Sequence, residues 1–240
     1  FAGVSRIQYT TDIRIIRVMC TGRVDPTMIA EAFINDADGV MVIGCHFGDC
    51  HYITGNVQGK IKVGLAERVL TFVGLSPKRV SFDQCSSAEG ERFVKLVTDF
   101  NQGIRELGPL GNGDRLPLPE LKEKLSTAKT VLAKEKLRWV VGKFTVFVTE
   151  GNKYGEVFTE HEMWRTLDTI VMDEVATHEI LGELGQEAVA VKDLAARLKL
   201  PAPDVLRYVL ALQRRELVDL DGVEGNSPRY RAIQPKADAA

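Results

Sequence analysis

Four cysteines, at positions 20, 45, 50 and 85, are the residues of this 240-residue chain best suited to carry chemistry. Cys45 and Cys50 bracket the stretch Cys45–His46–Phe47–Gly48–Asp49–Cys50–His51–Tyr52, a loop short enough to turn two thiolates toward one metal centre. Gly48 would relieve the backbone strain of such a turn, and buried amides can hydrogen-bond cluster sulfurs and tune their potential. Cys-x4-Cys is less diagnostic than paired Cys-x-x-Cys motifs. Spacing alone therefore leaves three readings open: ligands to an iron–sulfur cluster, a structural zinc site, or small buried core thiols. His46 and His51 flank the same loop and could ligate iron as in Rieske-type centres, hydrogen-bond a cluster sulfur, or pack in the loop. Arg23, three residues after Cys20, could offset the negative charge of a cluster or form a surface salt bridge. Cys85 reads as a core or edge cysteine.

The elements that must position these residues alternate. Residues 13–19, rich in Ile and Val, predict a strand ending at Cys20. Asp25 followed by Pro26 predicts a helix start, with Ile29, Phe33 and Ile34 on its apolar face. Residues 39–44 are continuously apolar, as in a parallel strand buried on both faces. Ile61, Leu65, Val69 and Phe72 predict a second helix with Gly74 just past its end, weakened by Gly59 and Gly64. Residues 80–82 give a third strand. Residues 86–89 fit a capping box for a helix carrying Phe93, Val97, Phe100 and Ile104. The expected fold is α/β, a three-layer, flavodoxin-like parallel sheet over residues 1–107, with Cys20, Cys45 and Cys85 at the carboxyl edge where such sheets bind ligands.

Residues 108–114 (GPLGNGD) predict a linker. A helical and hairpin connector over 108–176 should contain a long charged helix at 120–141. It should also hold a hairpin of 145–149 with 156–158 across Gly151–Asn152, and a helix opened by a capping box at 159–162. That helix carries Trp164, Leu167, Val171 and Val175. Residues 177–240 predict a winged-helix-like domain. In it a helix ends near Leu184 and a short strand spans 188–191. A helix pair at 191–200 and 204–217 is separated by Pro201, and strands at 218–220 and 230–233 flank a Gly–Asn–Ser turn.

Composition narrows the function. The net charge of −2 and pI of about 6.2 give no broad pull toward nucleic acid or anionic membrane. No stretch approaches the roughly 20 apolar residues of a membrane helix. Four unevenly spread cysteines do not make a disulfide scaffold, which points to a cytoplasmic setting. Residues 55–60 have the wrong spacing for a phosphate loop, no G-x-G-x-x-G follows a strand, and no Ser–His–Asp set is present. Flavin and nicotinamide are therefore expected on partners. The chain opens at Phe1 without Met, so residues upstream are expected to be missing.

Residues 1–107 resemble the delta-subunit family of methyl-viologen-reducing hydrogenases. The resemblance rests on residues 2–6 (AGVSR), 18–26 (VMCTGRVDP), Gly39–Val40, 44–52 (GCHFGDCHY), Gly55–Asn56 and 86–91 (SSAEGE). It implies a [2Fe–2S] relay subunit of a hetero-oligomeric complex. Electrons would pass from a hydrogenase, formate dehydrogenase or similar oxidoreductase to a flavin-bearing, bifurcating heterodisulfide reductase A-like subunit. Cys20, Cys45 and Cys50 match family cysteines. The family usually places two more shortly before the Ala–Gly–x–Ser–Arg stretch, so a fourth ligand is expected upstream of Phe1. Cys85 matches no family ligand.

The winged-helix-like segment invites a rival reading, a redox-sensing iron–sulfur regulator that binds DNA. Recognition needs Lys and Arg facing phosphates. Between residues 178 and 236 basic and acidic residues nearly balance, and Asp204 opens the would-be recognition helix. Arg207, Arg214 and Arg215 could line one face, with Arg229 and Arg231 in the wing, but protein docking is the favoured role. A scaffold that has lost its cluster is the third reading.

Overall fold

Asp25 caps the first helix as its place before Pro26 predicts. Its carboxylate accepts the Thr27 N–H at 3.0 Å, and α1 runs Pro26–Ile34. The computed structural model describes residues 7–233, so the AGVSR stretch at 2–6 lies outside the described residues. After α1 come β1 (Val40–Gly44), α2 (Gly55–Phe72), β2 (Val80–Gln84) and α3 (Gly90–Leu107). β1 and β2 are parallel, with Val40 opposite Val80 and Gly44 opposite Gln84, and α2 is the crossover between them.

The third strand expected at residues 13–19 does not form. That segment has no regular secondary structure and joins no sheet, so among the described residues the sheet has two strands, not the three a flavodoxin-like, three-layer arrangement needs. A central parallel strand must be apolar on both faces, and Arg14 and Arg17 interrupt this run. The fold is mixed α/β.

Gly59 and Gly64 weaken helix propensity, yet α2 begins six residues before Ile61 and contains both. Close packing accounts for them: a Cβ on Gly59 would stand 2.8 Å from Thr21 Oγ1, and one on Gly64 2.7 Å from the Trp164 ring. At residues 86–89 half of the expected capping box exists. The Ser86 N–H donates to Glu89 Oε2 at 2.7 Å, but α3 starts after Glu89 and its N-cap side chain makes no capping bond.

The linker expected at 108–114 is instead bound into the first unit. Arg79 is 0% exposed and forks its Nε onto both Asp114 carboxylate oxygens at 3.0 Å. Its other two nitrogens donate to the carbonyls of Asp38, Gly108, Pro109 and Asn112. Asp114 in turn accepts the Ser76 and Gly111 N–H groups. The single charged helix expected at 120–141 is two, α4 (Leu118–Leu132) and α5 (Glu135–Thr149). Each carries its own buried stripe: Leu121, Leu125 and Leu132 on α4, and Leu137, Val141 and Phe144 on α5. Residues 145–149 belong to α5, so the expected hairpin is absent. What remains of it is one bond, from the Phe158 N–H to the Phe147 carbonyl at 3.0 Å.

Thr159 and Glu162 form a reciprocal capping box at the start of α6 (Glu160–Gln186). The chain divides into two compact units, Phe1–Val171 and Met172–Ala240. In the second, β3 (Val189–Ala190), α7 (Val191–Leu198), α8 (Ala202–Arg214), β4 (Val218–Glu224) and β5 (Ser227–Ala232) follow in order. The strands form an antiparallel sheet, β3-β5-β4, over a core of Ile180, Leu184, Leu194, Val205, Val209 and Leu212. No described helix is long and apolar enough to cross a membrane.

Candidate metal centre

Three loops meet at the first turn of α2. Cys20 caps a short 3₁₀ turn, Thr21–Arg23, with its Sγ accepting the Gly22 N–H at 3.4 Å. Cys45 directly follows β1, where the parallel pair delivers its chain to the carboxyl edge. Cys50 closes the loop from Cys45, with Gly48 at φ +93°, a conformation glycine adopts freely. The Sγ atoms of Cys20 and Cys50 are 3.9 Å apart.

That separation suits a shared metal. Two thiolates on one tetrahedral centre, with metal–sulfur bonds of about 2.3 Å, stand roughly 3.8 Å from each other. A binuclear iron–sulfur cluster takes such pairs, one on each iron. Among the described residues no group of three or more His, Cys, Asp and Glu side chains is arranged to hold a single metal ion.

Gly55 makes the approach possible. A Cβ there would lie 2.2 Å from Cys20 Sγ and 3.2 Å from Cys50 Sγ, so the thiols rest where a side chain would otherwise be. They sit at the N-terminus of an 18-residue helix whose N-cap, Thr54, makes no side-chain capping bond. The positive end of that helix favours thiolate and the negative charge of a bound cluster.

The thiols influence one another. Burial pushes the Cys45 thiol above its ordinary value, and the neighbouring Cys50 and then Cys20 thiols add to the effect. For Cys50 burial also works upward. The N–H groups of Asn56 and Tyr52, then the Cys20 and Cys45 thiols, more than offset it and hold Cys50 below the usual range. Cys20 and Cys50 are in contact, and Cys45, at the start of the loop that Cys50 closes, lies close enough to influence both.

The other expected residues do not join this group. His46 turns to Glu89, with Nε2 and Oε2 2.6 Å apart. His51 is exposed, its ring edge-on to Tyr52 at 5.2 Å. Arg23 is exposed at the end of the 3₁₀ turn and bonds no cysteine side chain among the described residues. The Cys85 sulfur faces the carbonyls of Ser86 and Glu89 at 3.4 Å, and burial, then the Glu89 charge, raises its pKa.

Sequence reasoning missed Asn56 as a site residue. Fully buried, its amide donates to the Cys45 and His46 carbonyls at 3.1 and 2.7 Å and pins the cysteine loop to α2. Gln84 donates to the same Cys45 carbonyl at 3.1 Å, and Lys62 to the Gly22 carbonyl at 2.6 Å. The signal for Asn56 and Gly55 is their adjacency within a matching motif. Gln84 and Lys62 give none.

Comparison with known proteins points to the same half of the chain. Residues 1–108 match the family described as FlpD, methyl-viologen-reducing hydrogenase, delta subunit. An iron-sulfur subunit of the F420-non-reducing hydrogenase of Archaeoglobus profundus is 44% identical over 108 residues, covering 45% of this chain and 79% of that protein. The vhc iron-sulfur subunit of the F420-non-reducing hydrogenase of Methanococcus voltae is also 44% identical over 108 residues, 75% of its length. One subunit of the ferredoxin:CoB-CoM heterodisulfide reductase of Methanosarcina mazei is 44% identical over 110 residues, 46% of this chain. The chain spans only 14% of that much longer relative.

Proposed function

This chain belongs to the family of methyl-viologen-reducing hydrogenase delta subunits, and from that premise we propose that it is an electron-transfer subunit whose Cys20, Cys45 and Cys50 hold a [2Fe–2S] cluster. The observation that carries the proposal is the Cys20–Cys50 pair at 3.9 Å, seated over the glycine that opens α2. A bound cluster would supply one-electron redox chemistry, and a fourth ligand would come from outside the described residues. The chain's own groups do the rest. The thiolates hold the metal, and the Asn56 and Tyr52 amides favour the charged form of Cys50. Asn56 and Gln84 fix the Cys45 carbonyl, while Glu89 fixes His46 and with it the loop. Arg23, exposed at the end of the turn that Cys20 caps, would add positive charge to that side of the site, and His51 packs on Tyr52.

In this reading electrons enter from a hydrogenase, a formate dehydrogenase or a similar oxidoreductase. They leave to a flavin-containing, bifurcating heterodisulfide reductase A-like protein, within a cytoplasmic hetero-oligomer. The Methanosarcina mazei relative supports the acceptor. There a segment similar to 110 residues of this chain is part of the same polypeptide as the rest of that heterodisulfide reductase protein. The second unit has the element order of a winged helix and serves as a protein-docking module.

The test is iron and acid-labile sulfide content with EPR on the full chain prepared without oxygen. Two irons and two sulfides per chain, with a reducible [2Fe–2S] spectrum, are expected. Cys45→Ser should abolish the signal and electron flow, and Cys85→Ser should keep both. Full signal and electron flow in Cys45→Ser would overturn the cluster assignment.

A further inference from the structure

One stripe of α2 meets the Cys20 turn residue by residue. Gly55, Gly59 and Lys62 follow one another at helical spacing and so share a face of the helix. A Cβ on Gly55 would strike Cys20 Sγ, and one on Gly59 would stand 2.9 Å from Thr21 Cβ. At the third position the Lys62 Nζ donates to the Gly22 carbonyl at 2.6 Å. Gly22 has no room for a side chain either, since a Cβ there would lie 2.9 Å from the Gly55 carbonyl oxygen. The turn therefore rests directly on the helix. Two missing side chains let it approach, and one long side chain closes over its end.

The reach of that lysine has a direction. Side chains on an α-helix lean toward its N-terminus, and the N-terminus of α2 is where the Cys20 and Cys50 sulfurs stand 3.9 Å apart. Lys62 is half-buried, and its ammonium ends at the residue whose own N–H donates to Cys20 Sγ at 3.4 Å. Among the described residues it pairs with no carboxylate. A neutral donor would satisfy the Gly22 carbonyl as well. The ammonium adds a full positive charge at the same point.

We propose that Lys62 is a positioning residue of the metal centre, holding the Cys20 turn on α2 and setting a positive charge there that raises the reduction potential of the bound cluster. This rests on the electron-transfer reading above and deepens it by naming the group that tunes the centre. Thiolate ligands leave a cluster negative, and one-electron reduction adds a further negative charge. A cation fixed nearby stabilises the reduced form more than the oxidised form, and a half-buried place limits its screening by salt. Arg23 bears the same charge but is exposed, where solvent and salt screen it more.

The experiment is an EPR-monitored redox titration of the full chain, prepared without oxygen, with iron and sulfide measured in every variant. Lys62→Met should keep its iron and its EPR spectrum. At the wild-type midpoint, its ratio of reduced to oxidised cluster should fall about threefold or more. Lys62→Arg keeps the charge and should restore the ratio, whereas Lys62→Gln offers only a neutral donor and should behave as Lys62→Met. A Lys62→Met cluster at the wild-type potential, or a fall that Lys62→Arg does not repair, overturns the role of Lys62 while the electron-transfer reading stands. If Lys62→Met loses its cluster, the other two variants decide. A wild-type potential in Lys62→Arg with a lowered or absent one in Lys62→Gln supports the proposal. A wild-type potential in Lys62→Gln, or no cluster in Lys62→Arg, overturns it. A wild-type chain that holds no iron removes the electron-transfer reading, and the role of Lys62 goes with it.

Discussion

A methyl group at position 55 would fall 2.2 Å from one candidate ligand sulfur and 3.2 Å from another, which makes Gly55 the strictest sequence requirement of the site. Gly55→Ala should leave far-UV circular dichroism unchanged, because alanine favours a helix start at least as well as glycine, yet reduce bound iron and sulfide severalfold. Wild-type iron content in that variant would show that the thiols can retreat. Ile53 is the opposite case. It is an exposed, β-branched residue at φ +64°, a backbone region that costs such a side chain about 1 kcal/mol or more. Ile53→Gly should therefore raise the denaturant midpoint of the cluster-free chain. Glycine in a motif can be read from sequence, but its reason cannot. Gly55 reads only as part of a motif, and Gly59 as a weak point in a helix, until Cys20 and Thr21, more than thirty residues away in the chain, are seen pressed against them.

At the scale of elements, the patterns that stayed local were legible and those that depended on packing were not. Asp25 before Pro26, and Thr159 with Glu162, announced two helix starts correctly because a cap is satisfied within one turn. The run at 145–149 reads as a strand from its Thr and Val, but it is helical. Phe144 packs on Trp164 at 4.7 Å and Gln58 reaches Thr145, so tertiary contacts override propensity. The element order of the second unit was legible, since its short strands and helices each alternate cleanly. There the Tyr208 hydroxyl donates to Asp173 at 2.7 Å, and burial followed by that bond pushes its pKa up to about 12. The folded state thus holds the Tyr208 proton beyond the unfolded value near 10. The resulting stability is complete below about pH 10 and is lost as pH rises toward 12. Tyr208→Phe should lose about 1–2 kcal/mol at pH 7, and its gap from wild type should shrink across that alkaline window in urea unfolding.

For the molecule as a whole, charge placement separates the candidate roles of the second unit. Arg197 pairs with Glu183 and Glu187, and Arg207 lies near Asp173 and Asp204. Arg229 pairs with Glu224 and donates to the Ala188 carbonyl, and Arg231 faces Asp221. With these side chains turned to neighbours in their own chain, the full-length protein should show no salt-dependent, sequence-selective shift of duplex DNA in a gel assay. A clear shift would revive the regulator reading. Arg79 bears on the integrity of the first unit. Arg79→Ala would strand the buried Asp114 carboxylate, and about 3–5 kcal/mol of stability should go with it, measurable by guanidinium unfolding. The same knot bears on synthesis. As the chain leaves the ribosome, all three candidate ligand cysteines and both strands emerge before Asp114, so Arg79 spends that interval without its counter-charge or three of its carbonyl partners. Metal insertion into the nascent chain would meet an unfinished pocket, and a protein expressed only to residue 107 should be found among insoluble material, whereas one reaching through α4 should not.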